Sequence, residues 1–212
     1  MLVGRRMRTS LITVGKDATL AQAQELLHSH RIRHLPVVEG DRLLGILTDR
    51  DIRQASPSSA AGISPDRTAA FLAQIPVAKA MMTEVRTVGP YTTIEEAARL
   101  MIEHKIGCLP VTETGRLVGI ITETDILGVL ADVMGIREPS TRLEFTLPDL
   151  PGALAEITRI IKTHGVTISS IVTMPHWEGG KRLAVIRIKT MNPQPVLKDL
   201  AAAGFEQPPL QT

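Results

Sequence analysis

At 212 residues, 43% of them hydrophobic, the chain can bury real cores and has room for one large domain or two or three small ones; its longest apolar runs are strand-sized, far below the roughly twenty residues that cross a bilayer. A net charge of +2 with Lys and Arg spread along the chain, and an aromatic content of 2%, leave neither a basic block nor a stacking platform for nucleic acid. One cysteine, Cys108, cannot form an internal disulfide, six scattered histidines compose no zinc spacing, and Met1 to Met7 lacks a signal peptide's apolar core, so a cytoplasmic protein with no bound metal is expected.

A shift of about 74 positions aligns Val3 to Ile52 with Val77 to Ile126 without a gap, roughly 22 of about 50 residues being identical. In each copy V-x-x-x-M is followed by T-V-G (Thr13 to Gly15, Thr87 to Gly89). Thr19 and Thr93 then begin T-x-x-Q/E capping boxes ahead of a helix whose apolar face is Leu20, Ala23, Leu26 and Leu27 in the first copy. The helix ends near His30-Arg31. Leu35-Pro36-Val37-Val38 reads as a short buried strand in which Pro demands an edge or terminal position. A tight polar turn leads to a strand over Arg42 to Leu47, and Thr48 opens a second helix through Ile52. The repeating unit is strand, helix, strand, strand, helix. Ser56 to Pro65 reads as a surface linker, Asp66 to Gln74 as a short helix, and Asp125 to Met134 as the closing helix of the second copy. The domain boundaries expected are 1–55, a linker at 56–76, 77–134, and 140–212.

The recurring chemistry is G-h-h-T-x-x-D, where h is apolar: Gly45 to Asp51 and Gly119 to Asp125. It sits where a strand enters a helix, whose free N–H groups and partial positive charge favour an anion. Asp51 or Asp125 is then placed to accept from two ribose hydroxyls. A second reading stands beside this one, because T-x-x-D is also a capping box that needs no ligand. Recurrence in both copies, with glycine three residues before the threonine, favours a paired site. On these residues both copies resemble the CBS domain, over about residues 3 to 133. That resemblance implies two α/β units packed sheet to sheet, with two clefts that in many members bind AMP, ADP, ATP or S-adenosylmethionine. It implies Thr48 and Asp51 for one cleft, Thr122 and Asp125 for the other, and an adenine sandwich from Thr13, Ile32 and Pro36, and from Thr87, Ile106 and Pro110. Arg50 is the expected phosphate contact in the first copy; the second has Thr124 there, so the clefts are not equivalent.

In the last third, strands are expected over Arg142 to Leu147, Val166 to Met174 and Arg182 to Lys189, with a Gly179-Gly180 turn before the last of these. Helices are expected over Pro151 to His164 and Val196 to Ala203, the latter closed by Gly204, and a final strand begins at Phe205-Glu206-Gln207. With D-x-P-G-x-L at Asp149 to Leu154, this order resembles the ACT domain, a ferredoxin-like βαββαβ fold. Asp149 is expected to cap the helix and Pro151 to sit where a missing N–H is harmless. The resemblance implies a site at Asp149, Leu150, Pro151, Gly152 and Leu154 that takes an amino acid at an interface between two such domains, or else serves only to pair chains. Thr167 stands where many amino-acid-binding members have Asn. The fold class expected is therefore α/β (α+β), a tandem CBS pair with a C-terminal ACT domain.

His28, His30 and His34 lack a carboxylate partner set and read as surface or packing residues; Cys108 reads as a structural thiol. Trp177 reads as an exposed contact or a ring covering the sheet. No G-x-S-x-G, P-loop or H-E-x-x-H is present. The CBS, CBS, ACT order resembles the bacterial acetoin-utilisation accessory family, which implies a link to acetoin or acetate metabolism. The function expected is a non-catalytic, homodimeric regulator of an unidentified enzyme that binds adenosine nucleotides. The rivals are an accessory subunit or enzyme of acetoin catabolism, and a scaffold without ligand.

Overall fold

The computed structural model describes residues 1–57, 65–176 and 179–205; residues 58–64 of the expected linker, Trp177 and the expected strand at Glu206-Gln207 lie outside these. The chain divides into two compact units, Met1–Ile126 and Leu127–Thr212.

The first unit follows its sequence signals closely. Helix α1 (Leu20–Ser29) carries a complete capping box: the Gln22 N–H donates to Thr19 Oγ1 at 3.2 Å and the Thr19 N–H to Gln22 Oε1 at 2.9 Å. Its counterpart α4 (Ile94–His104) keeps the threonine half alone, because Arg99 takes the Glu96 carboxylate at 2.8 and 2.9 Å. Each helix buries one stripe, Leu20, Ala23 and Leu27 in α1 and Ile94, Ala97 and Met101 in α4, the spacing of an amphipathic helix. Strands β2 (His34–Glu39) and β3 (Arg42–Thr48) form an antiparallel hairpin, as do β4 (Cys108–Glu113) and β5 (Arg116–Thr122). The opening strand β1 (Val14–Gly15) pairs parallel with β2; in the second copy it shrinks to one bridge, Val88 to Val111. The hairpins run into α2 (Asp49–Ala55) and α5 (Glu123–Val133), and α3 (Pro65–Leu72) lies between the copies.

Pro36 occupies neither an edge strand nor a strand end, and Pro110 lies inside β4 of a two-stranded hairpin that Val88 meets in a single bridge. Pro36 pairs with Ile46, whose own N–H and C=O turn the other way to Met82, at 2.9 Å each. The pair therefore exchanges no ladder hydrogen bond, and the missing proline N–H leaves no acceptor stranded. Pro110 stands in the same relation to Ile120, which bonds Arg8 at 2.9 and 3.0 Å.

Those outward bonds expose an exchange between the copies. The segment that precedes the first copy packs on the second: Val3 is fully buried, its N–H reaching Thr92 O at 2.8 Å, and Arg8 extends β5 through Ile120. The segment that precedes the second copy packs on the first. Val77 joins the core of Leu20, Leu35, Leu47 and Ile52, its N–H bonds Ala18 O at 2.8 Å, and Met82 extends β3 through Ile46. The glycine of each G-h-h-T-x-x-D turn is what admits the visiting segment. A Cβ on Gly45 would lie 2.7 Å from Met82 O and 2.9 Å from Met81 Sδ, and one on Gly119 would strike Met7 Sδ. Gly45 and Gly119 thus make room for backbone and methionine, not for a ligand.

In the second unit, β6 (Thr141–Pro148), β7 (Ile168–Pro175) and β8 (Lys181–Ile188) form an antiparallel sheet in the order β6-β8-β7. Helices α6 (Ala153–Thr163) and α7 (Gln194–Ala202) bury Ile157, Ile160, Ile161, Val196 and Leu200 against Leu143, Phe145 and Ile186 of the sheet. Gly204 follows α7 at φ +85, as a closing glycine should. The expected cap at Asp149 is not made. Pro151 disfavours helical geometry at Leu150, so α6 starts only after Gly152, which holds the N-cap position at φ +87 without a side-chain bond. Asp149 instead donates its N–H to Gly180 O at 2.9 Å and turns its carboxylate toward Arg182 at 3.8 Å.

The exchange predicts a sharp contrast between two glycines. Gly45→Ala drives Cβ into the Met82 carbonyl and is expected to cost about 1–3 kcal/mol, lowering the melting temperature by several degrees. Gly15→Ala enters open space and is expected to leave it within about a degree. Differential scanning calorimetry of the two variants measures the difference.

Candidate functional site

The two copies meet where Ile46, Cys108 and Ile120 pack together with Leu11 and Val85. Two clefts flank this seam, and the repeat shift carries one onto the other. The first, of about 850 Å³, brings Thr48, Arg50 and Asp51 opposite Ile106 at the exit of α4 and the Glu84-Val85-Arg86 segment. The second, of about 500 Å³, brings Thr122 and Thr124 opposite Ile32, Pro36 and the Ser10-Leu11-Ile12 segment.

Both threonine-to-aspartate turns are formed as capping boxes. Asp51 Oδ2 accepts from the Thr48 N–H at 2.8 Å and its hydroxyl at 2.6 Å, while the Asp51 N–H returns to Thr48 Oγ1 at 3.2 Å. Asp125 and Thr122 repeat this at 2.9, 2.6 and 3.3 Å. The cap uses one carboxylate oxygen, Oδ2, in each copy. The copies part at the other oxygen: Asp51, which lines the first cleft, makes no ion pair among the described residues, whereas Asp125 is not among the residues lining the second cleft and its Oδ1 lies 3.3 Å from Arg8 Nε.

The first cleft has more cations than the second, and more carboxylates with them, Asp49, Asp51 and Glu84 against Glu123. Arg33, Arg50, Arg86 and Lys105 line the first without an ion pair among the described residues, and Arg53 is held by Asp49 at 2.9 Å. The second cleft has Arg31 and the shared Arg33 in that state, its Arg8 being engaged with Asp125. Since α2 is only seven residues long, these side chains, more than the helix dipole, supply the positive charge at the first cleft.

Of the expected adenine-sandwich residues, Ile106 lines the first cleft and Ile32 and Pro36 line the second. Thr13, Thr87 and Pro110 line neither; Pro110 is buried inside β4 and Thr87 is exposed. Arg8, Arg33, Arg86, Lys105 and His34 were not among the residues expected. Arg33 and Lys105 flank Ile32 and Ile106, so their side of the cleft could have been foreseen from the repeat. Arg8 could not, because it arrives by the exchange. His34 lines both clefts, and its position in the second copy is taken by Cys108, whose thiol burial pushes up to about 12, as suits an inert packing group.

In the second unit, Asp149, Leu150, Gly152 and Leu154 border a hollow of about 170 Å³ with Thr173 and Arg182; Pro151 does not reach it.

Paired α/β repeats with a seam, two clefts and a conserved-in-both-copies threonine-to-aspartate turn define a tandem ligand-cleft module, followed by a separate antiparallel sheet with two helices on one face. The chain belongs to the CBS domain family, whose model matches residues 3–58 and 77–132, and it carries an ACT domain at residues 141–205. A CBS domain-containing protein of Dictyostelium discoideum is 36% identical over 136 residues, covering 63% of this chain and 94% of its own. A Vibrio cholerae crystal structure described as an acetoin utilization protein (AcuB) is 32% identical, with a TM-score of 0.54 over 66% of this chain and 98% of its own. The CBS pair of protein MJ0100, solved with 5′-methylthioadenosine and S-adenosylmethionine, is 26% identical, with a TM-score of 0.52 over 65% of this chain and 98% of that one. CBSX2, solved with AMP, is 25% identical, with a TM-score of 0.52 over 62% and 97%.

The position of His34 carries a pH dependence. Burial is the largest influence on it and holds its pKa below the usual 6.5, outweighing the raising effect of Asp49, Glu123 and Asp51, while Arg33 adds to the lowering. The unfolded chain therefore takes up a proton there more readily than the folded one. Stability from this group is fully present above about pH 6.5 and falls as the pH drops below it. In urea titrations from pH 7.5 to pH 5, His34→Gln is expected to flatten that decline relative to the unaltered protein.

Proposed function

We propose that this protein is a non-catalytic regulator that binds adenosine nucleotides in its CBS clefts, the first cleft taking the more highly charged ligand. The observation that carries this reading is the set of four cations without ion pairs, Arg33, Arg50, Arg86 and Lys105, facing a threonine-to-aspartate turn whose Asp51 keeps one carboxylate oxygen uncommitted. Cations of this density suit phosphate, and the spare oxygen suits ribose hydroxyls. The relatives solved with AMP and with S-adenosylmethionine support the adenosine part.

In this reading ligand binding biases the pose of the two repeats, which requires unequal affinity for the poses. The ACT domain pairs two chains in the cytoplasm. A second reading, that it also receives an amino acid, draws on the hollow beside Gly152, where Arg182 offers a carboxylate partner. The likeness to the Vibrio cholerae protein supports regulation within acetoin or acetate metabolism, through an enzyme that this chain controls.

Isothermal titration calorimetry with AMP, ADP, ATP and S-adenosylmethionine tests the proposal. Saturable binding is expected, with ATP tighter than AMP and its advantage reduced about fivefold to tenfold in Arg50→Thr, the residue of the second copy. Absence of saturable binding by all four ligands would sink the reading.

A further inference from the structure

Positions 8 and 82 are equivalent under the repeat shift, and the same backbone pairing holds both: Arg8 against Ile120, Met82 against Ile46. Each is a visitor from the other copy's leading segment, and each delivers a side chain into a cleft, Met82 into the first and Arg8 into the second. What they bring differs. Arg8 Nε sits 3.3 Å from Asp125 Oδ1, on a side chain only 14% exposed, and that is the oxygen the Thr122 cap leaves over. Met82 brings no charge, and the matching oxygen of Asp51 is left open.

We propose that Arg8 is a specificity-determining residue that sets the two clefts apart. By engaging Asp125 Oδ1 it makes the second cleft a poor site for a ribose diol, so the chain fills its first cleft before its second. The inference rests on the adenosine reading above and names which residue ranks the sites. A carboxylate oxygen accepts about two hydrogen bonds, and a vicinal diol asks for both; the guanidinium must first be drawn away. Arg8 itself is more than half exposed, so the effect is a ranking and not a block. Exposed pairs of this kind correspond to about a fivefold change in affinity, and salt screening narrows it further.

The test is calorimetric titration of the full chain with 5′-methylthioadenosine, an uncharged probe in which phosphate attraction plays no part. Two binding steps are expected, the second weaker. Arg8→Met, which copies the first cleft, is expected to tighten the second step about fivefold and leave the first unchanged; Met82→Arg is expected to weaken the first step by a similar factor. Because position 8 is held by backbone bonds, both variants should melt within about two degrees of the parent, which separates affinity from misfolding. Raising the salt should tighten the parent's second step and leave that of Arg8→Met unmoved. Two equal steps in the parent, or an Arg8→Met variant whose second step is unchanged or weaker, overturn the assignment of Arg8 and leave the adenosine reading standing. No binding of this probe or of AMP in parent and variants overturns both.

Discussion

The structure of the CBS pair turns on one close approach, that of a visiting backbone over a glycine. Ile46 and Ile120 each present an N–H and a C=O on the side of the strand away from the hairpin partner. Left bare these would be unpaired polar groups beside a core, and burying such groups without partners is costly. Met82 and Arg8 satisfy them, Met82 in a space that a Cβ on Gly45 would close, and Arg8 beside Gly119, where a Cβ would meet the Met7 side chain. The exchange also fills the cores, with Val77 sealing the first copy and Val3 the second. Neither copy is therefore complete on its own, and the seam of Ile46, Cys108 and Ile120 is reinforced by a covalent crossing of the chain in each direction.

From that constraint follows the placement of the clefts. Each is walled by one copy's threonine turn and by the helix exit of the other copy, and its mouth is set by the visiting segment. The framework is nearly symmetric: the threonine-to-aspartate caps, the strand prolines, the hairpin registers and the glycines of the two turns coincide in both copies. The copies differ at many positions, but in the core the exchanges are between apolar residues, as Leu20 against Ile94 and Leu27 against Met101, whereas at the clefts they change charge or polarity, as Arg50 against Thr124, Arg33 against Gly107 and Met82 against Arg8. Core positions of a repeat are restrained by packing, where even one added methylene is felt. Cleft positions are free to diverge, and their divergence in charge is what makes two related sites chemically distinct.

How much of this could be read from sequence depends on the range of the interaction. Capping boxes, amphipathic stripes and the closing Gly204 are decided within a few residues, and Thr19, Thr93, Thr48, Thr122 and Gly204 all stand where local rules put them. Pro36 shows the limit of a local rule, since what permits it is the direction of a hydrogen bond on Ile46, fixed by a residue 46 positions further on. Asp149 shows another: a capping preference yields to the constraint that Pro151 places on the residue before it. The exchange itself was not legible, because V-x-x-x-M marks a segment that packs without saying on which copy. Arg8 was not foreseen for the same reason, while the close approach that Gly45 permits is made by the backbone of Met82. Of the sandwich residues that the resemblance implied, Pro110 is sealed within its strand and Thr87 faces solvent.

The choice between a helix cap and a ligand site, open in the sequence, is not an exclusive one: the geometry shows the cap, and the proposed ligand role is compatible with it. A cap that used both carboxylate oxygens of Asp51 would leave nothing for a ligand, and a carboxylate that made no cap would be free to rotate. Here Thr48 takes Oδ2 through two bonds and leaves Oδ1. The cap thereby fixes the rotamer of the half-buried aspartate and aims its second oxygen before any ligand arrives. Holding a side chain in place in advance removes an ordering cost of about 0.5–1.5 kcal/mol from binding, and the stability of the helix start supplies the restraint. Under the proposed function the two roles of T-x-x-D are cooperative: the hydrogen bonds that terminate the strand and start the helix would also preorganise the recognition group, and a change such as Thr48→Val would act on both at once.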